Sequence, residues 1–206
     1  MVKTLLFTES PYISIVVILG ILIGYLKYKP LMYSSIVLLC LLVAFYRHYD
    51  YTKTHQDNEI ICPADGVITN IIDDKDKVLI SITLDVFNIH SQIYPCNGTV
   101  VDRIYDLNGV YKIIDGSGKS DKNEKKVHVI QTKYGIVKVL QIAGFLVRRI
   151  VSSEKIPEPV KGGEYLGMIK FGSRVDVEVS KSHSFDLKVK NGDRVYIGDL
   201  LGNYRI

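Results

Sequence analysis

Two nearly uninterrupted apolar runs, Tyr12 to Leu26 and Leu31 to Tyr46, open the chain, separated only by Lys27-Tyr28-Lys29-Pro30. Each run is about 15 residues, roughly 22 Å as a helix at ~1.5 Å per residue. That falls short of a hydrocarbon core of roughly 30 Å. A thin spanning hairpin, a hairpin dipping into one leaflet and a signal sequence all produce such a pattern. Lys27-Tyr28-Lys29-Pro30 is a poor cleavage site, so the pattern favours a membrane-anchoring helical hairpin over residues 1–50, with both ends on one side. Lysines mark the tight turn (Lys27, Lys29), while Lys3, Arg47 and Lys53 mark the ends, so the positive-inside rule assigns no orientation.

From Glu59 onward the apolar spacing changes to short β runs punctuated by turns. Strands are expected over Val67–Ile72, Val78–Leu84, Thr99–Leu107, Val127–Gln131, Ile136–Ile142 and Val147–Ser152, with a further alternating run at Val175, Val177 and Val179. A long polar stretch, Asp115 to Lys126, reads as a loop. No convincing amphipathic helix interrupts these strands, so the predicted main domain, residues 51–206, is mainly β, a barrel or sandwich. Lys161-Gly162-Gly163-Glu164 is echoed by Asn191-Gly192-Asp193, a turn type found in lipoyl and biotinyl carriers. No lysine here has the exposed hairpin setting that such a carrier needs.

Composition narrows the function classes. A net charge of +4, with no basic stripe interleaved with exposed aromatics, gives no support to nucleic-acid binding. Neither a P-loop nor a dinucleotide fingerprint occurs. Three cysteines, Cys40, Cys62 and Cys96, form no CxxC pair and leave an odd one over. That argues for a reducing compartment, against a disulfide framework or zinc site, and weakly for a main domain on the cytosolic face.

Four patches carry candidate chemistry. Pro63-Ala64-Asp65-Gly66 reads by itself as turn chemistry, the carboxylate capping nearby amides. His90, in Phe87-Asn88-Ile89-His90, reads by itself as a packed or surface histidine. Asn123-Glu124-Lys125 reads as a solvated face. In Phe171-Gly172-Ser173-Arg174 the bland reading is a tight turn opening a strand. Glycine before serine nevertheless frees the backbone next to a hydroxyl, which suits a serine attacking its own preceding carbonyl.

In this order and spacing, the patches resemble the phosphatidylserine decarboxylase family in its shorter form. The likeness runs from about Phe45-Tyr46-Arg47 to Asn203 and includes Gln141-Ile142-Ala143-Gly144, Arg148-Arg149-Ile150-Val151 and Gly163-Glu164 leading to Gly167-Met168-Ile169. The resemblance implies a self-processing proenzyme that splits between Gly172 and Ser173 into fragments 1–172 and 173–206, which stay associated. Ser173 would become a pyruvoyl cofactor, with no metal. His90 would act as base with Asp65 orienting it, and His90 would also protonate the substrate carbanion. Such an enzyme converts phosphatidylserine to phosphatidylethanolamine and carbon dioxide. Its partners would be the phospholipid and the bilayer of the cell membrane, and a homodimer is left open.

Arg148, Arg149 and Arg174 are candidates for the lipid phosphate, since a guanidinium suits bidentate phosphate binding. As neighbours on an expected strand, Arg148 and Arg149 cannot both face the site. Two departures from the family pattern stand out: Ile93 lies where longer members carry a second histidine, and Lys125 where the family often has arginine. Decarboxylation of a different serine phospholipid, or a non-catalytic membrane-tethered β adaptor, are the alternatives.

Overall fold

The computed structural model describes residues 2–106, 123–144, 150–170 and 173–205, Ser173 by its backbone alone. The chain divides into two compact units, Met1–Asp50 and Tyr51–Ile206.

In the first unit, β1 (Val2–Thr4) and β2 (Arg47–Tyr49) pair antiparallel and bracket three helices, α1 (Leu6–Glu9), α2 (Pro11–Leu26) and α3 (Lys29–Phe45). Proline opens both longer helices, where its missing N–H is no loss. Gly24 lets α2 and α3 approach closely: a Cβ there would lie 2.3 Å from the Met32 backbone nitrogen. Apolar side chains such as Ile15, Leu19, Leu22 and Leu41 stay exposed. Among the described residues, no helix is long and apolar enough to cross a membrane.

Among its described residues the second unit is built of strands and holds no helix. Its strands are β3 (Glu59–Ile61), β4 (Gly66–Asp73), β5 (Lys77–Leu84), β6 (Ser91–Ile93), β7 (Gly98–Asp106), β8 (Lys125–Gln131), β9 (Ile136–Ile142), β10 (Ile150–Ser152), β11 (Glu158–Val160), β12 (Tyr165–Ile169), β13 (Ser173–Ser180), β14 (Phe185–Leu187), β15 (Arg194–Val195) and β16 (Leu200–Tyr204). Eight of them form one antiparallel sheet in the order β11-β7-β8-β9-β13-β5-β4-β15. β13 lies inside it, paired with β5 over Ser173–Ser180 and with β9 over Arg174–Val179. Val175, Val177 and Val179 are fully buried on one face, as β-branched residues on a pleated face favour, but the half-buried pattern that alternation suggests does not hold, because Arg174 and Asp176 are buried as well.

Two three-stranded sheets, β10-β12-β6 and β14-β16-β3, complete the unit. Ile60, Leu166, Ile169, Leu201 and Tyr204 from these small sheets share one apolar core with Ile80, Val139 and Val177 of the large one. The mainly β expectation holds, whereas barrel closure does not, because the sheets are open. The outermost strands of the large sheet, β11 and β15, have only three and two residues, and the remaining strands build separate sheets instead of bridging its ends. Short edges of this kind limit unwanted pairing.

Two local expectations change. Asn123 and Glu124 are buried, not solvated, because Asn123 Nδ2 donates to the Ala143 carbonyl (2.9 Å) and Glu124 accepts the Tyr105 hydroxyl. The echoed glycine turns share a backbone reason: Gly163 and Gly192 have φ of 91° and 90°, a region that residues with a Cβ resist.

Candidate active site

Ser173 starts β13 opposite Leu84 at the end of β5. On its other side the register runs one step past the Arg174–Ile142 pair, towards Ala143, whose amide donates to the Glu124 carbonyl (2.9 Å). Val67 and Arg174 flank Thr83 from opposite sides, which sets Gly66, and Asp65 before it, two strands from Ser173. At ~4.8 Å per strand that is about 10 Å. One oxygen of Asp65 accepts the Ile197 amide (2.8 Å). The carbonyl of Pro63 accepts the Ile93 amide (3.0 Å), tying this turn to β6.

His90 reaches the same end of the sheet by a different route. β6 pairs with β12, and the Ile169 amide donates to the His90 carbonyl (3.2 Å). Ile169 is four residues before Ser173, so chain length alone keeps Ile169 and Ser173 within about 14 Å of each other. The His90 ring is fully buried, and its Nδ1 lies 2.9 Å from the Asn88 carbonyl. A carbonyl only accepts, so Nδ1 carries the hydrogen of the neutral ring and Nε2 is the basic nitrogen.

Arg174 is buried on β13, its guanidinium bound to Asp176 of the same strand through Nε–Oδ1 (2.9 Å) and Nη2–Oδ2 (3.0 Å). With Lys125 and Glu178 it lines a cleft of about 250 Å³. Ile93 is fully buried. Gly172, Arg148 and Arg149 lie outside the described residues. Burial pushes the Cys62 and Cys96 thiols up, Cys96 to about 12, so neither offers a thiolate to compete with a serine nucleophile.

The family model for phosphatidylserine decarboxylase matches residues 41–203. The chain belongs to the phosphatidylserine decarboxylase family. It is 31% identical over 198 residues to a phosphatidylserine decarboxylase proenzyme of Geotalea uraniireducens, covering 93% of this chain and 92% of that protein. A proenzyme of the same name from Burkholderia mallei is 33% identical over 192 residues (90% and 88%). A protein of Methanosarcina mazei, provisionally named an archaetidylserine decarboxylase proenzyme, is 37% identical over 157 residues (76% and 72%).

Beside the residues matching the decarboxylase family pattern runs a buried polar network that sequence reading did not assign. Arg103, on β7, donates to Glu158 and to the Tyr94 hydroxyl (3.0 Å), and its Nε donates to His128 Nδ1 (3.2 Å). Burial works to raise the Glu158 carboxyl, but hydrogen bonds from Arg103 and Ser153 outweigh it and hold it below the usual range. Burial lowers the His128 pKa to about 4, reinforced by nearby Arg103 and Lys126 and opposed by its hydrogen bond to Gln141. One signal was available in the sequence: Gln141 falls in phase with the buried Val137 and Val139, and His128 with Ile130. A polar residue at a core position demands a partner.

Proposed function

We propose that this chain is a self-processing, pyruvoyl-dependent decarboxylase that converts phosphatidylserine to phosphatidylethanolamine and carbon dioxide. What supports the reading is that strand pairing brings the turn of Asp65 and the start of β13 to the same end of the large sheet, while the His90 carbonyl is tied to Ile169, four residues before Ser173. His90 Nε2 takes the Ser173 hydroxyl proton as the oxygen attacks the Gly172 carbonyl, replacing the amide with an ester. Loss of the Ser173 α-proton then expels the Gly172 carboxylate, and hydrolysis of the resulting enamine releases ammonia and leaves a pyruvoyl group. The Asn88 carbonyl orients the ring through Nδ1, and Asp65 is the carboxylate that balances the imidazolium charge.

The residues present fit that group, because Ser173 starts a strand held on both sides and a new N-terminus there would stay anchored. Such a group at position 173 would supply an electron sink for the pair released with carbon dioxide. His90 returns a proton to the substrate carbon, while one of Arg148 and Arg149, or Arg174, meets the lipid phosphate.

Residues 1–50 anchor the enzyme to the cell membrane, with residues 51–206 on the cytosolic face. The exposed apolar side chains of α2 and α3 support anchoring, and the helices' 16 and 17 residues suit shallow insertion. The identity to relatives named for archaetidylserine favours a second substrate reading, the same head group on an archaeal lipid backbone.

Intact mass tests the central claim. The parent should yield a 34-residue piece, 173–206, with a blocked N-terminus, and Ser173→Ala should stay whole. An unbroken parent would leave the adaptor reading in its place.

A further inference from the structure

Between β7 and β6 the buried polar groups form one continuous line. Arg103 Nε donates to His128 Nδ1 (3.2 Å), and His128 Nε2 meets Gln141 Oε1 (2.9 Å). Gln141 Nε2 donates to Gln92 Oε1 (2.8 Å), and Gln92 Nε2 donates to the His90 carbonyl (2.6 Å). Both ends are chemically unambiguous, since a guanidinium only donates and a carbonyl only accepts. Every group between them therefore has one allowed orientation: His128 carries its hydrogen on Nε2, and both amides point their NH2 groups towards His90.

His128, Gln141, Gln92 and His90 are all fully buried, where an unmade link would cost the desolvation of that group. An apolar residue at 141 would continue the run of Val137 and Val139 without this demand. The line ends at the base. Gln92 grips the same His90 carbonyl that accepts the Ile169 amide (3.2 Å), so one oxygen binds His90 both to the line and to the strand leading towards Ser173. Gly167 on β12 leaves space for it: a Cβ there would stand 3.1 Å from Gln141 Nε2.

We infer that Gln92 and Gln141 are positioning residues for His90, and that His128, clamped by Arg103, fixes the direction in which they act. The inference rests on the proposed role of His90 in self-processing and deepens it. A second hydrogen on His128 would set donor against donor at Arg103 Nε and add a cation beside Arg103 and Lys126, with Glu154 the nearby anion.

The test follows formation of the 34-residue fragment by intact mass after cell-free synthesis of the full chain, for parent, Gln92→Leu, Gln141→Met, His128→Leu and His128→Gln. Melting temperatures in the Ser173→Ala background report folding separately. Gln92→Leu, Gln141→Met and His128→Leu should slow splitting about 10- to 100-fold, the scale of an ångström-sized misplacement. His128→Gln keeps an N–H for Gln141 and should recover to within about threefold of the parent. If Gln141→Met does not fold, Gln141→Glu at neutral pH has the same shape without the donor and reads the same link.

Splitting at the parent rate in Gln92→Leu and Gln141→Met would overturn the positioning line while leaving self-processing intact. Equal slowing by His128→Gln and His128→Leu would overturn the role of His128 and reduce it to packing. A parent that never splits would overturn the role of His90 itself, and the positioning inference with it.

Discussion

Dropping the pH from 7.5 to 5.0 charges the unfolded His128, whose ordinary pKa is 6.5, but leaves it neutral in the folded chain, where the pKa is about 4. The unfolded state then binds more protons, so stability falls as pH falls through 6.5 and the loss levels off below 4. With these two values the penalty is about 2 kcal/mol at pH 5 and approaches about 3 kcal/mol below pH 4. Above pH 7 the contribution is fully present.

The measurement is urea unfolding in mild detergent at pH 7.5 and 5.0. Ser173→Ala serves as the reference because an uncut chain unfolds as one species. His128→Gln in the same background removes the titrating ring, and every other group titrates alike in both proteins. The reference should therefore lose about 2 kcal/mol more than His128→Gln between the two pH values. Equal losses in the two proteins would refute the buried, neutral state of His128.

Two further outcomes test other parts of the molecule. Leu19→Glu with Leu22→Glu puts two charges on the exposed apolar surface of α2, and should reduce co-sedimentation with phospholipid vesicles at least about tenfold, since each charge costs about 2 kcal/mol or more inside a bilayer. Unchanged sedimentation would remove the anchoring role. Alanine at Arg148, Arg149 and Arg174 together should raise KM for phosphatidylserine about tenfold or more, the scale of charge-assisted hydrogen bonds, and an unchanged KM would exclude all three from head-group binding.

The sequence made the long elements visible and the short ones invisible. β5, β9 and β13 are seven or eight residues rich in strong β formers, so length and composition located them. β11, β14 and β15 have three residues or fewer, too few for any period, and pairing rather than propensity decides them. Ser173, His90 and Asp65 came from family resemblance, not from spacing. Asp65 and Ser173 share one sheet end because β4 and β13 both meet β5, and His90 reaches the strand before Ser173 because β6 meets β12, a contact distant along the chain that no local pattern encodes. Asn123 and Glu124 misled for a related reason: their polarity suggested water, but their partners are Ala143 and Tyr105.

The position of β13 has a consequence for the protein after scission. If the chain splits before Ser173 as proposed, the 34-residue piece stays stitched to the larger one, among the described residues, at four seams: β13 with β5, β13 with β9, β15 with β4, and β16 with β3. Breaking the peptide bond removes one covalent link and none of these ladders, so the two polypeptides behave as a single folding unit that cannot exchange partners without unfolding. On that proposal the mature enzyme would be made by folding first and cutting second; separately synthesised halves would have to insert an inner strand between two others that are already in place.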